Sequence, residues 1–239
     1  APVLNRGVFF FLSRLANSFI FASQRTKNYY KKLVPTRYKS FLIQSPVDVN
    51  FFNPALNYPL DKFIKKTTKK KILIGTICNV NPVKGLVNFL KTANKLSIYS
   101  NKINFVVIGS IYDSQKGYHM HLMNIITQLG IKNFFFLNSR KDVRSLLKSI
   151  DIYVCSSNNE SSPLSVWEAM SMKKAIVSTD VGDVRKFINN NVNGFIVKVG
   201  DSDRLAKAII KLIKNPKLKH IFGKSVRKVA KNKLDLKLC

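Results

Sequence analysis

Six short apolar runs constrain the fold most: Ile72–Ile77, Ile103–Ile108, Asn133–Leu137, Ile152–Cys155, Ala175–Ser178 and Gly194–Val197. Each is rich in Ile, Val or Phe and apolar at consecutive positions instead of alternate ones. Strands that read this way are covered on both faces, as in a parallel sheet flanked by helices. The intervening segments carry helical stripes: Leu86, Phe89, Leu90, Ala93 and Leu96 in one, Leu205, Ile209, Leu212 and Ile213 in another. Strand and helix in alternation predict an α/β fold, a doubly wound parallel sheet of Rossmann-like type. Ligands bind beyond the carboxyl ends of strands in such a sheet. The loops after Ile77, Ile108, Leu137 and Cys155 are therefore where chemistry is expected.

The flanks read differently. Asn5–Ala16 and Thr26–Leu33 look helical, Ser18–Ala22 and Ser40–Gln44 extended. Turn chemistry follows at Ser45–Asp48 and Phe51–Pro54, then a charged bridge, Lys62–Lys71. At the other end Asn215-Pro216 stops one helix and starts another running to about Asn232. The opening segment is too short for a domain of its own. The chain reads as truncated at both ends.

Composition excludes some classes and leaves others open. The hydrophobic content of 46% suits a globular chain, and no apolar run approaches the roughly 20 residues of a membrane-spanning helix. Arg14 inside Val8–Ile20 argues against a signal peptide. Cys78, Cys155 and Cys239 are odd in number and form no CxxC pair, which suits reduced, buried thiols and a cytoplasmic setting. The formal net charge of +29 fits three readings: a Lys-rich bias over solvated faces, attraction to an anionic membrane, or a nucleic-acid surface.

The stretch Glu160-Ser161-Ser162-Pro163-Leu164-Ser165-Val166-Trp167-Glu168 follows a buried strand. Ser162 is placed to cap a helix that opens with Pro163, and the free N–H groups of that first turn suit an anion. Glu168 falls on the second turn, where a carboxylate accepts two hydrogen bonds from a vicinal diol. Glu160, just outside the helix, reaches sugar hydroxyls. Lys84 in Asn79-Val80-Asn81-Pro82-Val83-Lys84-Gly85 follows the first strand, where a cation pairs with a diphosphate, and Gly85 allows a ligand near the backbone. Taken singly, Glu160 equally assists capping, Glu168 is equally a solvated helix residue, and Lys84 one surface lysine among many.

From Lys71 to Asn232 the succession resembles the carboxyl-terminal half of family 4 glycosyltransferases of the GT-B fold. The resemblance rests on Pro82-Val83-Lys84-Gly85, Phe105–Gly109, Ser149–Val154, the Glu160/Glu168 pair at E-x(7)-E spacing with Ala169-Met170, Val177–Val184, Asn193–Val197, Val199-Gly200-Asp201 and Asn215–Leu218. It implies residues 1–50 as the end of an amino-terminal acceptor domain, 51–71 as an interdomain linker, 72–215 as the donor-binding domain and 216–239 as a terminal helix. It also implies a nucleotide-diphosphate sugar as donor, a glycan or lipid-linked acceptor, retention, and no cofactor or metal. Lys84 and Glu160 would be catalytic. Asn79, Gly85, Arg140, Ser161, Ser162, Pro163, Leu164 and Glu168 would bind donor, Arg140 near the base. The implied location is cytoplasmic, peripheral at the inner face of a membrane.

This chain departs from the family pattern at three positions. Asn79 stands where the family has Arg, Ser161 where Gly is common, and Lys173 where Gly is expected after Ala169–Met172. His119 and His121 are two apart on a helical pattern and so diverge, and His220 stands alone. No zinc spacing, Walker loop or G-x-G-x-x-G occurs. Two other readings are a basic nucleic-acid-binding α/β module, which lacks a stacking platform and any nucleic-acid signature, and a nucleotide-sugar epimerase on the same fold.

Overall fold

The computed structural model describes residues 6–31, 38–59, 61, 64 and 71–238. The chain opens with α1 (Arg6–Ser13), β1 (Ser18–Phe21), α2 (Gln24–Tyr30) and β2 (Lys39–Leu42). β1 and β2 pair in parallel as a small sheet of their own. Helix α2 starts two residues before the expected Thr26 because Ser23 caps it, its Oγ accepting from the Thr26 N–H at 3.1 Å. The expected ends of this helix, Lys32 and Leu33, and most of Lys62–Lys71 lie outside the described residues.

Six parallel strands form the main sheet: β3 (Ile72–Ile77), β4 (Ile103–Ile108), β5 (Phe134–Leu137), β6 (Ile152–Cys155), β7 (Ala175–Thr179) and β8 (Phe195–Val197). Their spatial order is β5-β4-β3-β6-β7-β8, the doubly wound arrangement whose direction reverses between β3 and β6. Alternate residues feed opposite layers. Ile103, Phe105 and Val107 of β4 join one core with α3 (Leu86–Lys95), α4 (Lys116–Gln128) and α8 (Ser202–Lys214). Val106 and Ile108 join the other with α5 (Arg144–Ser149), α6 (Leu164–Ser171), α7 (Val184–Phe187) and α9 (Pro216–Lys233). Both faces are covered, so consecutive positions are buried throughout β4, β6 and β7, while Phe135–Leu137 of the edge strand β5 and the two ends of β3 stay partly exposed. The expected helical stripes are buried too, apart from the partly exposed Ile213.

The terminal helix belongs to this body. Val226, Ala230 and Leu234 pack in the same cluster as Tyr153, Trp167, and Val47 and Val49 of the connecting segment. The Arg227 guanidinium donates to the carbonyls of Val49 at 3.0 Å and Phe52 at 2.7 Å and to Ser171 Oγ at 2.7 Å. One side chain thus ties the connector to α6 and α9. No helix among the described residues is long and apolar enough to cross a membrane.

Candidate functional site

The ladder between β3 and β6 is short, pairing only Ile74 with Ile152 and Gly75 with Tyr153. Beyond it the strands part, and the Tyr153 hydroxyl accepts from the Ile77 N–H at 3.2 Å while lying 3.3 Å from the Ile77 carbonyl. Backbone groups that a longer ladder would have satisfied are held by a side chain instead. A cavity of about 390 Å³ opens just beyond, at the switch point.

The loop after β3 brings Cys78, Asn79 and Lys84 to this cavity, the loop after β5 brings Ser139 and Arg140, and the loop after β6 with α6 brings Glu160, Ser162, Pro163, Leu164 and Glu168. Lys84 Nζ donates to Glu160 Oε1 at 2.8 Å, which also accepts from Ser157 Oγ at 2.8 Å. Burial pulls the Lys84 ammonium down, but the hydrogen bond and charge of Glu160 outweigh it and hold it above its ordinary value. Arg140 Nε donates to Asp61 Oδ2 at 3.1 Å and its guanidinium to the Asn138 carbonyl at 2.9 Å, so the connector fixes its direction. Glu168 is half-buried and has neither a hydrogen-bond nor an ion-pair partner among the described residues. Desolvation pushes its carboxyl up to about 7. A carboxylate left unmatched on a cavity wall is a ready acceptor for ligand hydroxyls.

Eight of the ten sequence-expected site residues line this one cavity. Gly85 and Ser161 do not. Gly85 has φ +62°, and a Cβ there would lie 2.0 Å from the Ser156 carbonyl oxygen. The glycine serves the close approach of one loop to another. Ser161 turns toward the opening segment, its Oγ lying 3.1 Å from Ser23 Oγ and 3.2 Å from Thr26 Oγ1. Ser162 is also corrected: it caps no backbone N–H, and its Oγ accepts from Trp167 Nε1 and Gln44 Nε2, each at 3.0 Å. A buried indole N–H needs a partner, and Ser162 is the one within reach. Helix α6 accordingly begins at Leu164, with Pro163 in the cap position.

Residue-level reading missed Cys78, Gly109, Val143 and Ser165 in the lining. Gly109 carried a signal, as a glycine directly after β4: a Cβ there would meet the Cys78 carbonyl at 2.0 Å. Desolvation pushes the Cys78 thiol up to about 12, so it meets the cavity as a neutral group. Among the described residues no group of three or more His, Cys, Asp or Glu is arranged to hold a metal ion.

The family model described as "Glycosyl transferases group 1" matches residues 58–229. An N,N'-diacetylbacillosaminyl-diphospho-undecaprenol alpha-1,3-N-acetylgalactosaminyltransferase of Campylobacter jejuni is 27% identical over 217 residues, 89% of this chain and 55% of that protein. A UDP-Gal:alpha-D-GlcNAc-diphosphoundecaprenol alpha-1,3-galactosyltransferase of Escherichia coli is 25% identical over 203 residues, 82% of this chain and 51% of that one. The chain thus spans about half the length of these curated relatives. Anabaena HepE, solved with UDP and glucose, superposes with a TM-score of 0.85 at 20% identity, over 98% of this chain and 65% of HepE. The order of the sheet, the cavity at its switch point and the match over residues 58–229 agree: this chain belongs to the group 1 glycosyl transferases.

Proposed function

We propose that this chain forms the donor site of a retaining family 4 glycosyltransferase, as the carboxyl-terminal half of a GT-B enzyme that moves a sugar from a nucleotide diphosphate to a lipid-linked glycan. The carrying observation is one cavity that joins the Lys84–Glu160 pair to the unpartnered Glu168. In this reading the ribose diol donates to Glu168, as a carboxylate on the second turn of α6 invites. Lys84 leaves Glu160 for the diphosphate, and the first-turn N–H groups of α6 add to the same anion. Asn79 offers an amide to the diphosphate, and Arg140 stands by the base. As the bond from the anomeric carbon to the diphosphate breaks, negative charge grows on the leaving oxygen. The Lys84 ammonium, already seated on the diphosphate once donor is bound, lowers the barrier. Glu160, released from Lys84, meets the sugar hydroxyls. The reading needs no metal or cofactor.

Two observations on other proteins support the substrate class. The Campylobacter and Escherichia relatives are named for diphosphoundecaprenol-linked sugars, and HepE was solved with UDP and glucose. The net charge of +29 and the free thiols of Cys78 and Cys155 support a cytoplasmic chain held peripherally at an anionic membrane.

Calorimetry with uridine, guanosine and adenosine diphosphates and their sugars tests the donor site. One nucleotide series should bind, with equal affinity in chelator. Glu168→Ala should cost about 1.5–3 kcal/mol of that binding, because a charged acceptor is lost, and leave the fold intact. Equal affinity of variant and parent would remove Glu168 from the site, and lost binding in chelator would refute the metal-free reading.

A further inference from the structure

Helix α9 holds seven Lys and Arg residues between Pro216 and Lys233 and no acidic one. Two of the seven are used inside the molecule. Lys219 pairs with Asp151 at 2.8 Å, and Arg227 holds the connector. Phe222, Val226 and Ala230 are buried in the two cores, which fixes which side of the helix faces out.

On that outer side Lys217, Lys224, Lys228 and Lys231 are all exposed. At about 100° per residue they fall within an arc of roughly 60°, and the stripe is about 21 Å long. Ile221 lies in the same stripe and is 57% exposed. The excess lysine of the composition is not spread evenly here: it forms a line with an apolar residue in it. Successive lysines along the line stand roughly 4.5–11 Å apart, about a Debye length or less at physiological salt, so their fields add.

We propose that this stripe seats the chain on an anionic lipid surface, α9 lying along the headgroups with Ile221 turned into them. Lysine ammonium groups are compact, strongly hydrated charges, which suits the diffuse field of many headgroups better than a directional two-pronged contact. The apolar face of α9 is spent on the protein cores, so the long-range attraction comes from the lysines and Ile221 adds one short-range apolar contact. The biological sense rests on the lipid-linked acceptor proposed above. The test does not.

Vesicles of phosphatidylglycerol and phosphatidylcholine in equal parts, and vesicles of phosphatidylcholine alone, are sedimented with the chain at low and at physiological salt. The parent should bind the first and not the second, and release as salt rises. The combined variant Lys217→Gln, Lys224→Gln, Lys228→Gln, Lys231→Gln should lose roughly several hundredfold in partition coefficient, since each lysine at such a surface is worth roughly fivefold. A control with the same net charge, Lys102→Gln, Lys116→Gln, Lys132→Gln, Lys198→Gln, removes exposed lysines from other elements and should lose less than about threefold. Ile221→Gln alone should lose a few-fold. If the combined α9 variant lacks a cooperative thermal transition, the pairs K217Q/K224Q and K228Q/K231Q carry the test, each with a loss of about twentyfold or more. Equal loss in the α9 and control variants would overturn the proposal in favour of bulk charge. Vesicle binding unchanged while binding to a DNA duplex is lost would overturn it in favour of nucleic acid. Donor affinity should be the same in both charge variants, so a failed donor site and a failed lipid surface give different results.

Discussion

Glu168 is a half-buried carboxyl group with no partner among the described residues, and its burial has a pH consequence. Burial pushes the group up from its ordinary 4.5 in the unfolded chain to about 7 in the folded one. Between those values the native state holds a proton that the unfolded state has lost, so stability falls as pH rises through this window. Above it the fold carries a desolvated negative charge. Glu168→Gln should therefore be more stable than the parent at pH 8, by about 1–2 kcal/mol, with the gain vanishing by pH 4.5. Binding should respond in the opposite sense. A diol donates to the ionised carboxylate, so nucleotide affinity of the parent should weaken as pH drops below 7, and that of Glu168→Gln should stay flat. Thermal unfolding and calorimetry at several pH values read both effects. Parallel stability curves for the two proteins would show that the carboxyl is better solvated than its surroundings suggest.

The turn between β3 and α3 places Lys84, and two features hold it. Asn158 Nδ2 donates to the Pro82 carbonyl and the Asn158 N–H to the Val83 carbonyl, at 3.0 and 2.7 Å. Gly85 adopts φ +62° with its missing side chain facing the Ser156 carbonyl. Gly200 also has a left-handed φ, +81°, but a Cβ there meets nothing within 4 Å. The two glycines separate conformational strain from collision. Gly200→Ala should cost about 1–2 kcal/mol from the left-handed backbone alone. Gly85→Ala should cost about 2–4 kcal/mol, because two backbone segments must also move apart. Urea unfolding of both variants measures the difference, and equal costs would mean that the loop at Ser156 yields freely. Such yielding would also move Glu160, which shares that loop.

Across the whole molecule, the opening segment is joined to the main sheet by polar contacts centred on Asp183. The two carboxylate oxygens of this buried residue accept from the Gln24 N–H at 2.8 Å and the Arg25 N–H at 3.1 Å. A carboxylate from one body satisfies the free donors at the start of a helix in the other. Arg25 adds an ion pair to Asp180 at 3.6 Å, too exposed to contribute much. Asp183→Ala should then loosen α2 without disturbing the six-stranded sheet. Hydrogen exchange is the measurement: amides of Gln24–Tyr30 should exchange at least tenfold faster in the variant, while those of β3, β4 and β6 keep their protection. Unchanged exchange in α2 would show that β1, β2 and the Ser161 contacts hold the segment by themselves.

Local pattern determined the sheet. Residues buried on both faces leave consecutive apolar positions, and that record needs no knowledge of the partner, so Ile72–Ile77, Ile103–Ile108 and Ile152–Cys155 could be read to the residue. The positions of Lys84, Glu160 and Glu168 just beyond strand ends were legible for the same reason. Tertiary structure decided what each side chain does there. Lys84 and Glu160 are 76 residues apart and meet only because β3 and β6 flank the switch point. Ser162 carries a good capping sequence, yet the Trp167 indole takes its oxygen, since a buried N–H left alone costs more than a helix start left to solvent. Ser161 turns from the cavity to the hydroxyls of Ser23 and Thr26, Gly85 lies against the Ser156 carbonyl, and Arg140 is aimed by Asp61. Periodicity is written along the chain, but the choice among competing partners depends on which groups folding brings within about 3 Å.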